Sequence, residues 1–79
     1  MSYTILGALR KASAIESKCG KALDRLPDRS AGWARNCVYL AKRVQAAAEK
    51  GNTASATKWL RKLTGHLRAT GHARIIAAR

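Results

Sequence analysis

Few side chains in this sequence are equipped for chemistry: two cysteines, two histidines and four carboxylates. Cys19 and Cys37 stand eighteen residues apart. Two thiols with no well-placed histidine are too few for a zinc ion, which takes four ligands, so no metal site is expected. They read either as buried free thiols, the state expected of a protein in a reducing compartment, or as an interhelical disulfide. His66 and His72 are six apart, which on one helix turns them about 120° from each other. A spacing of three or four would bring them to a shared ligand; six does not. Both are expected at the rim of the fold, adding to a cationic surface only when protonated.

The carboxylates are Glu16, Asp24, Asp28 and Glu49. Asp28 reads as a helix cap, and Glu16 and Asp24 have Lys or Arg within helical reach. No two are spaced for acid–base work, and no serine or threonine has an adjacent His–acid pair. A glycine-rich phosphate loop is also missing. The expected protein is therefore not an enzyme and needs no cofactor.

What remains is charge. Sixteen Lys and Arg against four acids give a net charge of +12 on 79 residues. Such a body repels itself and attracts polyanions. Nucleic acid is the commonest polyanion met by a small basic domain, with an acidic protein surface behind it. A membrane role is not expected: Tyr3–Leu9 is too short for a signal core, and nothing approaches the roughly 20 apolar residues of a spanning helix. The expected setting is the cytoplasm.

The elements that must position these charges are punctuated by the single proline, Pro27, and by Gly51-Asn52-Thr53. Between the breaks the apolar residues recur at helical spacing, and no strand-like alternation appears. The first helix is expected over about 4–26, starting near Ser2 or Thr4 and carrying Ile5, Ala12, Cys19 and Leu26 at intervals of seven. The second spans about 30–50, capped by Asp28 or Ser30, with Trp33, Cys37, Leu40 and Val44 on its apolar face. The third spans about 54–70, with Ala56, Leu60, Leu63 and Leu67. Beyond Gly71 the pattern breaks, and a kink or short extension over 72–79 carries Ile75 and Ile76.

Short connections make neighbouring helices antiparallel, so the fold class is all-α, a small three-helix bundle in one domain. Folding at about residues 28 and 52 sets Ala12 beside Val44 and Leu60, Ile15 beside Leu40 and Leu63, and Cys19 beside Cys37. The tryptophans read as core anchors. The core is rich in alanine and lacks phenylalanine, so it buries little area per residue. A homodimer, a disulfide or a bound partner would supply further stability.

On the third helix Lys58, Arg61, Lys62, Arg68 and His72 face away from the leucines, and Arg79 joins them if the helix continues. On the second, Arg35, Lys42 and Arg43 have no acid beside them. All four acids precede residue 50, and a merely solubilising face usually mixes signs. These nine residues are the expected binding surface, for DNA or RNA through its phosphates. The alternative is a modulator that docks on an acidic host protein, as small factors of phages and mobile elements do. A helix-turn-helix reader of bases is not expected. Asn52 follows the turn glycine where an apolar plug belongs, and both helices are too long for that motif.

Overall fold

Thr4 starts the first helix. Its hydroxyl accepts the Gly7 N–H at 2.9 Å while its own backbone stays extended, satisfying one of the donors that a helix start leaves open. In the computed structural model, which describes residues 4–77, α1 then runs over Ile5–Arg25. Pro27 stops it, because the residue before a proline is pushed out of the helical region; Leu26 is extended, with ψ at 143°. A 3-10 turn over Asp28–Ser30 leads into α2, Gly32–Glu49, and a tight turn leads into α3, Thr53–Ala69. A second 3-10 turn covers Ala73–Ala77. The three-helix bundle is as expected, and no strand occurs among the described residues. No described helix is long and apolar enough to cross a membrane.

The exits of α2 and α3 use the same device. Gly51 takes φ of 74° and Gly71 takes φ of 79°, a region open to glycine at no steric cost. At the first, the Asn52 N–H donates to the Ala47 carbonyl and the Gly51 N–H to that of Ala48, each at 3.0 Å. At the second, His72 donates to Leu67 at 2.8 Å and Gly71 to Arg68 at 3.3 Å. This paired pattern closes off the last helical carbonyls and reverses the chain. Asn52 then caps α3, its side-chain oxygen accepting the Ser55 N–H at 3.0 Å.

The start of α2 differs from expectation. Neither Asp28 nor Ser30 caps it; Ala31 precedes the helix with no side-chain hydrogen bond. The 3-10 turn after Pro27 consumes these residues, with Ser30 N–H donating to Pro27 and Ala31 N–H to Asp28. Asp28 is left one turn too early to reach the α2 amides. Arg35 takes it instead, donating to its carbonyl at 3.2 Å and its carboxylate at 3.4 Å.

The core forms where three narrow apolar faces meet. Ala8, Ala12, Ile15 and Cys19 come from α1, Cys37, Ala41, Val44 and Ala47 from α2, and Leu60, Leu63 and Leu67 from α3. Alanines lie on the α1 and α2 faces, so the leucines of α3 fill the space those faces leave. Cys19 and Cys37 are fully buried and joined as a disulfide, with Cα atoms 6.3 Å apart. The expected meeting of the two cysteines is therefore right, while the free-thiol expectation is replaced by the bridge. The tryptophans also differ from expectation: Trp33 and Trp59 are only partly buried and pack on the edge of the cluster.

The bridge closes a separation of 18 residues, a loop whose closure stabilises by about 3 kcal/mol in the chain-entropy account. Thiol titration of denatured protein is expected to find no free thiol before reduction. Urea melts with and without dithiothreitol are expected to differ by about that same 3 kcal/mol.

Candidate polyanion-binding face

The outer face of α3 carries Lys58, Arg61, Lys62 and Arg68, all exposed. At 3.6 residues per turn they fall within an arc of about 120°, and a rise of 1.5 Å per residue spreads them over about 15 Å. No acid lies on this helix. Two of the carboxylates are engaged elsewhere. Glu16 accepts a hydrogen bond from Gln45 Nε2 at 2.7 Å, tying α1 to α2, instead of pairing with a neighbouring lysine or arginine. Asp28 and Arg35 form the one ion pair among the described residues, a solvent-exposed contact of the kind that contributes little to stability.

That pair changes the standing of Arg35, which was expected to be unaccompanied. The rest of the α2 set divides by helix geometry. Arg43 stands over the Trp59 ring at 4.7 Å from its centroid, so it lies on the side of α2 turned to α3. Lys42 is rotated from it by about 100°, as any adjacent helical residue must be, and shares the outward side of α2 with Arg35. The structure thus gathers Arg43 with the α3 cations and leaves Arg35 and Lys42 on a different side of the bundle.

Trp59 is the residue that makes this junction. Lys62, one turn along α3, also lies 4.7 Å from its ring centroid. The negative face of an indole ring attracts cations, so one half-buried tryptophan holds an arginine from α2 and a lysine from α3. Beside it, Lys50, Asn52 and Ser55 line a notch at the α2–α3 turn with Arg43. Sequence reasoning missed Lys50 and the role of Trp59. The Trp59–Lys62 spacing of three was a usable signal; Arg43 reaches the ring only through the packing of two helices.

A shallow depression runs along the N-terminal half of the same face, lined by Thr53, Ala54, Thr57, Lys58, Arg61 and Lys62. The Thr57 hydroxyl is buried and has no hydrogen-bond partner among the described residues.

His72 does not belong to this face. Gly71 turns the chain out of α3, and the His72 ring stacks on Trp33 with centroids 3.5 Å apart and planes 13° apart. His66 joins the same junction, its Nε2–H donating to the Trp33 carbonyl oxygen at 3.0 Å. Ile75 and Ile76 then pack against the core from the 3-10 turn, leaving Arg74 exposed. Arg79 lies outside the described residues, as does Ser2. No group of three or more His, Cys, Asp or Glu side chains is placed to hold a metal among the described residues.

Compared with protein-family models, with curated proteins and with solved structures, the chain matches none.

Because His72 is an aromatic partner of Trp33, its replacement should act on stability. His72→Ala is expected to cost about 1 kcal/mol, the usual worth of an aromatic pair, in urea denaturation. It should also speed amide exchange at Ile75, whose N–H donates to the His72 carbonyl at 3.1 Å.

Proposed function

We propose that the protein is a non-catalytic nucleic-acid-binding module that engages phosphates through the outer face of α3, with Arg43 added from α2. The observation that carries this reading is the row of exposed cations, Lys58, Arg61, Lys62 and Arg68, on a helix without an acid. Its length of about 15 Å matches the axial distance over which one strand of a duplex presents four or five phosphates, at about 3.4 Å each. Arginine offers a planar fork for two phosphate oxygens and lysine a mobile point charge. Contacts of this kind fix a strand on the protein without reading its bases.

An acidic protein surface would satisfy the same charges. Protein interfaces, however, take most of their energy from a few buried anchors at the centre of the contact. The large apolar residues exposed here are Leu6 on α1 and Tyr39 on α2, and neither lies among the α3 cations. Trp59 is itself capped by Arg43 and Lys62. A face of charge without an apolar centre favours a phosphate polymer. The Cys19–Cys37 bridge belongs to oxidising compartments and is rare where thiols are kept reduced, which argues against the cytoplasmic setting expected from the lack of a signal or spanning segment.

Generic duplex and single-stranded probes should both bind at low salt. Five phosphate contacts predict that the logarithm of affinity falls with that of salt at a slope of roughly −4 to −5 on duplex, about −0.9 per contact. Replacing Arg61, Lys62 and Arg68 together by glutamate should weaken binding by about a hundredfold or more, with helicity unchanged by circular dichroism. Absence of any shift for the native chain at low salt would sink the reading. Recovery of one dominant protein from a nuclease-treated lysate, without a shift, would replace it with the acidic-partner alternative.

A further inference from the structure

In the C-terminal half of the cationic helix stands a glycine that the fold does not use. Gly65 is exposed inside α3, and a Cβ built on it meets nothing within 4 Å. Its φ is not positive; among the described glycines only Gly51 and Gly71 have that geometry. Neither a turn nor crowding within the bundle therefore calls for glycine here. In a helix interior glycine is less stable than alanine, because more backbone freedom is lost on folding.

Its surroundings are consistent on both sides. Arg61 and Lys62 lie one turn before it, Arg68 one turn after and Lys58 two turns before, all exposed. At about 100° per residue, Lys58 and Lys62 flank it on one side at roughly 20° and 60°, and Arg61 and Arg68 on the other at roughly 40° and 60°. The bare backbone of Gly65 thus forms the floor between a lysine flank and an arginine flank.

We propose that Gly65 is the point of closest approach for a phosphodiester strand, which lies between the two flanks and closes on the helix backbone there. This rests on the nucleic-acid reading above and names its docking mode. Glycine is the residue that lets another backbone come near, and a strand seated on it brings its phosphates within reach of cations from both sides. A partner protein would present carboxylates on side chains that reach outward, and would not need the helix surface to be bare. The strand, a continuous ridge of charge, does.

A second glycine supplies the comparison. Gly20 also sits inside a helix, α1, with nothing within 4 Å of a built Cβ. One turn to either side of it are Glu16 and Asp24, so it belongs to a mixed-sign surface. Glutamine is a good helix former, and Gly65→Gln and Gly20→Gln should each raise the melting temperature by about 5 °C. Binding to a labelled single strand and a labelled duplex at low salt should separate them. Gly65→Gln is expected to lose about tenfold in affinity and Gly65→Ala only about two- to threefold, as a contact filled by degrees would. Gly20→Gln should bind as the native chain does.

Native-like affinity of Gly65→Gln would overturn the docking mode while leaving the cationic face as the binding surface. An equal loss in Gly20→Gln would overturn it too, since the effect would then not be local. A native chain that binds neither probe would overturn both this inference and the function on which it rests.

Discussion

The close approach of α1 and α2 is the constraint on which the rest of the bundle depends. Alanines 8, 12, 41 and 47 keep the facing surfaces low, and Cys19 and Cys37 fix their register with a covalent bond across 6.3 Å between Cα atoms. With those two helices drawn together, the shallow trough above them is filled by Leu60, Leu63 and Leu67 of α3, all fully buried. That seating decides which side of α3 remains outside. The cations are displayed because the leucines opposite them have one place to go. A strongly basic chain repels itself as it compacts, and a thin alanine core offsets that only modestly; the disulfide adds to what the packing supplies.

Much of this arrangement was legible in the sequence, and the reason is geometric. Apolar residues at helical spacing, one proline and two short connections make neighbouring helices antiparallel, and that arrangement brings Cys19 level with Cys37. What spacing alone could not give is the consequence of local turns and of depth. Asp28 looks like a cap, but the turn imposed by Pro27 leaves it a turn too early and hands it to Arg35. His72 looks like a continuation of the cationic row, but the left-handed Gly71 redirects it onto Trp33. Both tryptophans sit in apolar patterns, yet each lies at an edge, where its ring is open to a cation or an imidazole.

The proposed binding face shows the same limit more sharply. Its α3 members follow from the period of one helix. The α2 members do not, because adjacent residues on a helix point about 100° apart and only one can face a given neighbour. Arg43 and Lys42 look equivalent in sequence; Arg43 meets Trp59 and Lys42 does not. Arg35 has the same charge as both and is occupied by an acid from the preceding turn. Counting cations therefore overstated the face on α2 and missed Lys50, which only the α2–α3 turn brings beside Trp59.

The two tryptophans also divide the molecule into two optical districts. Trp59 emits from beside two cations at the seam of α2 and α3, while Trp33 emits from against an imidazole at the far end of the bundle. A polyanion that draws Arg43 and Lys62 away changes the field around the first indole and leaves the second alone; loosening of the C-terminal turn does the reverse. The protein carries, unlabelled, separate reporters for the placement of Arg43 and Lys62 and for the fastening of the C-terminal turn.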